Sequence, residues 1–344
     1  MAKPARTIYV YGYPSKCGGS TTELWHTVKL WRSVGLQVRM YTPTARPDPE
    51  WRGRLDDIKA YTVPDIPERS TVVAFCNTAF RADAPDLRAR GCRLVYVPCM
   101  NWNWPDERIR VPPAFLFDHY VYQSNHQYQT LHPNRVKRGL DGNAATVIHG
   151  AFDPTDFPFR PKPHTPGKPF IVGRLSRAFS LPGRKPALDK FPPDLWKQYE
   201  SFGENIRARV MGWSEEIEQL CGKPPEWAEV FPQEAMSSQD FLASIHCLVP
   251  GIGCCEENWP RVGLEAMAAG VPLVVEAKGG WPEMASEASQ AHSKIQQAII
   301  VAKLIASEDY RIMAAEMAYG RMKSLTDPAV IAKAWNQVFE EVNA

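Results

Sequence analysis

The sequence predicts two α/β domains joined by a proline-rich hinge. Three observations carry this. Strand-length apolar runs alternate with helical segments, residues 153–169 hold six prolines in seventeen positions, and the same alternation restarts beyond them. A chain of 344 residues is also longer than one hydrophobic core usually fills.

In the first half the strand-like runs are TIYVYGY (7–13), LQVRMYT (36–42), TVVAFCN (71–77), CRLVYVP (92–98), HYVYQS (119–124) and ATVIHGA (145–151). Ser20-Thr-Thr-Glu23 reads as a capping box opening a helix through Leu24, Val28, Leu30, Trp31 and Val34, with Gly35 as its stop. Strand, helix and strand in alternation imply a parallel sheet wrapped by helices. The segment DPTDFPFRPKPHTPGKP cannot be a helix or a central strand, and serves as a semi-rigid linker. After it come PFIVGRL (169–175), IRARVMGW (206–213), HCLVPGI (246–252) and PLVVEA (272–277), with the helix signal PRVGLEAMAAG between the last two and a helical tail closing the chain. The expected domains are 1–152 and 170–325, with 153–169 as linker and 326–344 as a final helix. Residues 180–194, SLPGRKPALDKFPPD, are too polar and proline-rich for core; they read as a loop at the carboxyl end of a strand, where open α/β sheets bind ligands.

Composition excludes some functions and leaves others. No run approaches the ~20 apolar residues of a membrane span. MAKPARTIYV enters a strand-like run directly, without the apolar region of a signal peptide, so a cytoplasmic protein is expected. Eight scattered cysteines form no CxxC pair and carry no zinc-ligand spacing; they read as reduced, buried thiols. The balance of 40 Lys+Arg against 38 Asp+Glu gives only +2. Divided at residue 150, it becomes 20 against 13, or +7, and then 20 against 25, or −5. A basic first half favours an anionic acceptor or surface.

Two glycine-rich turns follow strands. YPSKCGGSTTE places Gly18 and Gly19 ahead of a helix, where free N–H groups favour an anion, but it is neither a Walker A loop nor GxGxxG. GIGCCE (251–256) lacks the third glycine of a dinucleotide fingerprint. The strongest segment is Glu257-Asn-Trp-Pro-Arg-Val-Gly-Leu-Glu265. Pro260 suits the start of a helix and Gly270 its end. Glu257 then precedes the helix and Glu265 lies about 7–8 Å further along it. Trp259, Pro260, Arg261 and Val262 make up the helix start between them, an anion-favouring site flanked by two acceptors. A nucleotide-sugar has hydroxyls at both ends and a diphosphate in the middle, which matches. Glu265, in an otherwise apolar helix, needs a partner, either a buried Arg or a ligand hydroxyl.

The sequence resembles the GT-B glycosyltransferases, and within them the retaining family 4-like enzymes with an E-x7-E motif. Glu257 and Glu265 match that motif, IVGRLSR (171–177) the family's G-R-L element, Cys17-Gly18-Gly19 its N-terminal glycine loop, and VIHGAFDPTDFPFRP (147–161) its interdomain segment, with His149 in place of the usual Asn. The resemblance implies two Rossmann-like α/β/α domains facing a central cleft, the first holding the acceptor and the second the nucleotide-sugar donor, with the last helix packing back on the first domain. Glu257 would contact hydroxyls of the transferred sugar, Glu265 the ribose, and Arg174 the leaving diphosphate. The family's second cation is a Lys soon after that Arg; here Arg177, Arg184 and Lys185 are the candidates. A basic pair removes any need for a bound metal, and no DxD motif or cofactor signature is present.

Departures from the pattern are informative. Many members carry a His-Asp pair after the fourth strand, where this chain has Met100-Asn101-Trp102; Asn101 hydrogen-bonds but is no general base. His126 lies too far along and reads as a surface helix residue. Glu283 in GGWPEMASEAS matches a G-x-x-E segment whose usual following turn is absent. Trp102 and Trp104 suit a loop that stacks on a sugar or base, whereas Trp25 and Trp31 read as packing on the first helix. Three readings stay open: a retaining hexosyltransferase acting on a saccharide, glycolipid or small molecule; a DNA glycosyltransferase acting on a hydroxylated base; and a non-catalytic protein that binds a sugar nucleotide.

Overall fold

The computed structural model describes residues 7–12, 19–41, 63–101, 117–137, 144–176 and 187–344. The chain divides into two compact units, Met1–Phe152 with Thr326–Ala344, and Asp153–Leu325.

The first unit contains β1 (Thr7–Tyr11), α1 (Gly19–Ser33), β2 (Gln37–Tyr41), β3 (Thr71–Phe75), α2 (Thr78–Ala89), β4 (Arg93–Val97), β5 (His119–Tyr122), α3 (Asn125–Val136) and β6 (Ala144–Val147). Its six strands are all parallel, in the order β2-β1-β3-β4-β5-β6. Alternate residues of each strand face opposite layers. Ile8, Val10, Val73 and Val95 pack toward α1, whereas Tyr9, Tyr11, Val72 and Leu94 pack with Phe80, Leu87 and Phe117 on the other side. Trp31 is fully buried in the first of these layers.

The second unit contains β7 (Phe170–Leu175), α4 (Leu195–Glu200), β8 (Ile206–Met211), α5 (Glu215–Cys221), β9 (Ala228–Phe231), α6 (Ser238–Ala243), β10 (Cys247–Leu248), α7 (Arg261–Ala269), β11 (Val275–Glu276), α8 (Trp281–Met284), β12 (Gln290–Ala291), α9 (Lys294–Ala306) and α10 (Glu308–Leu325). Its main sheet is parallel in the order β10-β7-β8-β9, and β11 pairs with β12. The strand order reverses between β7 and β10, which makes a crevice at their carboxyl ends.

The last helix, α11 (Pro328–Glu341), belongs to the first unit. Asp327 caps it by accepting from Ala329 N and Val330 N, and Pro328 fits its first position. It packs on α1 edge to face, with the Trp31 and Trp335 ring centroids 4.9 Å apart. No helix of the described residues is long and apolar enough to cross a membrane.

Some expectations change in detail. Among the described residues helix α1 covers Gly19–Ser33, with Ser20 already helical. Glu23 is buried and accepts from Gln123 Nε2, a long-range tie that a capping box does not describe. Strand β9 has no strong sequence signal because its residues are half-exposed at the sheet edge. The far end of the 180–194 stretch does reach the core. Phe191 is buried, since a short 3₁₀ turn at Leu188–Lys190 carries the chain back under the sheet end.

Candidate functional site

The crevice between β7 and β10 opens into a pocket at the carboxyl ends of these strands. Arg174, Leu175 and Ser176 reach it from the end of β7, Pro250 and Gly251 from the end of β10, and Pro260 and Val262 from the start of α7.

Arg174 is almost completely buried, at 3% exposure. Its guanidinium lies over the Phe191 ring, 4.3 Å from the centroid, and donates through Nη2 to the Lys190 carbonyl and through Nη1 to Cys254 Sγ at 3.8 Å. Its Nε has no partner among the described residues. A planar cation held rigidly on an aromatic face, with donor capacity to spare, is suited to an oxyanion ligand.

Lys190 supplies a second cation. It ends the 3₁₀ turn, and its Nζ lies 2.9 Å from Glu257 Oε1. Both side chains are about one-third exposed, so the pair faces the opening. Lys278 also lines the cavity and donates to the Cys254 carbonyl at 3.3 Å. Glu276, the other lining carboxylate, accepts from Gly253 N at 3.0 Å.

The loop carrying Glu257 is fixed at several points. Gln198 of α4 accepts from Ile252 N and donates to Ile252 O, each at 2.8 Å, and Cys255 N donates to Asp189 O at 2.7 Å. Gly280 N donates to the Glu257 carbonyl at 2.8 Å. A Cβ on Gly280 would come within 1.7 Å of the Asn258 carbonyl oxygen, and one on Gly279 within 2.6 Å of that of Glu257. Only glycine lets these two backbones approach so closely.

Helix α7 begins after Pro260, has no acidic residue in its first turn, and ends at Gly270 with φ 79°. The positive end of its dipole therefore meets the cavity without an acidic residue in the helix's own first turn. Cys254 and Cys255 line the same wall. Burial raises both thiols, Cys255 up to about 12 with the help of Glu257 and Asp189, so they stay protonated at neutral pH. Cys254 Sγ donates to the Pro250 carbonyl at 3.5 Å.

The sequence-derived residues separate into groups. Arg174, Glu257, Pro260 and Val262 converge on the cavity. Trp259 and Arg261 are buried and do not line it. Glu265 lies three residues beyond Val262 on the same helix face and is not a lining residue either. Burial raises its pKa, partly offset by Arg261. Gly19 lies in α1 and Asn101 is half-buried after β4, both in the other unit. Gly18, Trp102, Trp104, Arg177, Arg184 and Lys185 lie outside the described residues. Sequence spacing missed Lys190, Lys278 and Glu276. Of these Lys190 had a signal: it is the last basic residue of the 180–194 stretch, directly before the phenylalanine that supports Arg174.

No protein-family model and no curated protein sequence matches this chain. Solved structures do resemble it over nearly its whole length. HepE of Anabaena in complex with UDP and glucose is 14% identical, with a TM-score of 0.70 over 97% of this chain and 99% of that one. Sucrose-phosphate synthase from Thermosynechococcus elongatus is 13% identical, with a TM-score of 0.67 over 98% and 99%. A DNA-modifying β-glucosyltransferase, studied with and without uridine diphosphoglucose, is 12% identical, with a TM-score of 0.56 over 98% and 100%. At this distance the likeness speaks to architecture: two Rossmann-like units of parallel sheet and helices, in one order along the chain, give this protein the GT-B fold.

Proposed function

We propose that the protein is a glycosyltransferase that takes a hexose from a nucleoside-diphosphate sugar. The observation that carries this is the convergence of Arg174, Lys190, Glu257 and the start of α7 on one cavity. Two cations and a helix dipole suit a diphosphate, and a carboxylate beside them suits sugar hydroxyls.

In the transfer, the bond between the sugar C1 and the diphosphate oxygen breaks as the acceptor oxygen bonds to C1. The acceptor proton passes to the leaving phosphate. Arg174 and Lys190 stabilise the charge that grows on the diphosphate, an effect typically worth several kcal/mol at a preorganised site. Glu257 accepts from the hexose hydroxyls and so fixes the ring against the leaving group. Glu265, beyond the cavity rim, takes the ribose hydroxyls. We assign the reaction to the retaining class on the match of Glu257 and Glu265 to the E-x7-E spacing. The leaving phosphate itself then receives the proton on the face where the acceptor enters. The cation pair does the neutralising that other enzymes give to a metal.

A panel of UDP-, GDP-, ADP- and TDP-sugars, scored by thermal stabilisation and by slow hydrolysis, tests this. One donor class is expected to stabilise the protein and release its diphosphate, and Arg174→Ala to abolish both effects. Stabilisation by none of them, or equal stabilisation of the Arg174→Ala variant, sinks the proposal.

The net charge of +7 over residues 1–150 favours an anionic acceptor, and a hydroxylated base in DNA is one such acceptor. Salt-sensitive binding to duplex DNA, with transfer to it, supports that reading. Transfer to a neutral saccharide without DNA binding removes it.

A further inference from the structure

Strands β3 and β4 are neighbours in the first sheet, and their last residues, Phe75 and Val97, are register partners that pack on the α1 side. Each strand is followed by a cysteine. Cys99, two residues beyond Val97, keeps to the same face and packs against the same apolar layer. Cys76, one residue beyond Phe75, would point to the opposite face in an extended strand. It does not continue the strand: its φ is 46°, a left-handed conformation that a residue with a Cβ keeps only where its surroundings hold it there. Its N–H donates to the Val97 carbonyl at 2.9 Å, and Cys99 Sγ lies 3.7 Å from that same oxygen. The two thiols are hydrogen-bonded to each other. The left-handed turn thus brings together two sulfurs from adjacent strands, on residues that are both half-exposed.

We propose that Cys76 and Cys99 form a reversible redox couple, closing to a disulfide on reaction with a hydroperoxide and reopening with a small dithiol. The two sulfurs have unequal roles. The hydrogen bond to Cys76, burial of the sulfur, and the charges of Cys76 and Glu23 hold the Cys99 thiol well above its ordinary range. Cys99 therefore keeps its proton and donates, and Cys76 is the sulfur that attacks. The Cys76 thiolate takes the terminal peroxide oxygen as the O–O bond breaks, and the leaving alkoxide picks up a proton. The Cys99 thiol then bonds to the sulfur of the resulting sulfenic acid, and its proton leaves with the hydroxyl as water. Two thiols and one hydroperoxide thus give one disulfide, one alcohol and one water. Closure needs little movement. Adjacent strands lie about 4.8 Å apart, and an offset of one residue adds about 3.3 Å along them. The two Cα atoms are then roughly 6 Å apart, inside the range that disulfides span. The Cys99 side is already held, since Gln127 Nε2 donates to the carbonyls of Pro98 at 2.7 Å and Met100 at 2.9 Å. Oxidation would fasten the end of β3 to the segment that leads into Asn101. The couple stands apart from the donor site and does not depend on the proposed transfer.

Peptide mapping of the folded protein after brief treatment with hydrogen peroxide tests this. A peptide linked through Cys76 and Cys99 is expected, and dithiothreitol should abolish it. Cys76 should react at least about tenfold faster than Cys221 and Cys247, whose thiols burial pushes up, that of Cys221 to about 11. In Cys99→Ser the sulfenic acid should persist at Cys76 and be trapped by dimedone. Cys76→Gly accepts the left-handed backbone without strain, so it should fold with a Tm no lower than wild type and leave Cys99 unoxidised under the same treatment. No linked Cys76–Cys99 peptide, random pairing among the cysteines, or a link that dithiothreitol does not reopen would each overturn the proposal. Equal oxidation of Cys99 in Cys76→Gly and in wild type would do the same.

Discussion

The Lys190 ammonium lies 2.9 Å from Oε1 of Glu257, joining a 3₁₀ turn after β7 to the loop that leads into α7. Two residues 67 positions apart thus close one end of the cavity. In the proposed transfer Lys190 turns to the diphosphate and Glu257 to the sugar, so each has a partner before and after donor binding.

Lys190→Ala should therefore lower turnover by about 10²–10³-fold, the usual cost of losing one preorganised group at a developing charge. Lys190→Arg should recover part of this, and Lys190→Ala should leave Tm nearly unchanged because the pair is partly exposed. Steady-state kinetics with the preferred donor check both points.

The same region tests the glycine packing. Gly280→Ala places a methyl group 1.7 Å from the Asn258 carbonyl oxygen unless the backbone moves. The expected result is a Tm lower by roughly 3–8 °C and a weakened donor complex, since the loop that moves carries Glu257. Thermal melts with and without donor separate the two effects.

Glu265 should show a conflict between stability and binding. Burial raises its pKa, so the folded state holds its proton more tightly than the unfolded chain. Its contribution to stability falls as pH rises from the unfolded value of 4.5 through the higher folded value. Glu265→Gln should thus raise Tm at pH 7, with the gain fading toward pH 4.5, while raising the KM for the donor several-fold. Melting curves at several pH values and donor titrations check these separately.

His246 provides a pH test at the opposite end of β7. Its Nδ1 accepts from Ile171 N at 2.8 Å, which requires the neutral ring, and burial together with Lys162 lowers its pKa to about 4. The unfolded chain then binds the extra proton between pH 6.5 and about 4, so stability is complete above 6.5 and declines through that window. His246→Asn keeps an acceptor and cannot titrate. It should flatten the fall of Tm over that range.

The alternation of strands and helices was legible in the sequence because both sheets are parallel and buried, which makes each strand an apolar run. The edge strand β9 and the two-residue β12 were not, since half-exposed or very short strands leave no such run. At the site, Arg174 and Glu257 stood out through local motifs, one at a strand end and one before a helix. Lys278 and Glu276 did not, because chain reversals bring them to the cavity and no spacing rule records a reversal, and Lys190 was marked only by its place beside Phe191 in the 180–194 stretch. Phe191 was hidden differently: it lies in a polar, proline-rich stretch, and its burial depends on the turn at Leu188–Lys190.

The central claim is that Arg174 and Lys190 together bind the diphosphate of a nucleotide-sugar. The direct measurement is calorimetric titration of the preferred nucleoside diphosphate into wild type, Arg174→Ala, Lys190→Ala and the double variant. Micromolar binding by wild type is expected, weakened at least about tenfold by each single change and lost in the double variant. Equal affinity in all four proteins, or no binding of any nucleoside diphosphate to wild type, would contradict the claim.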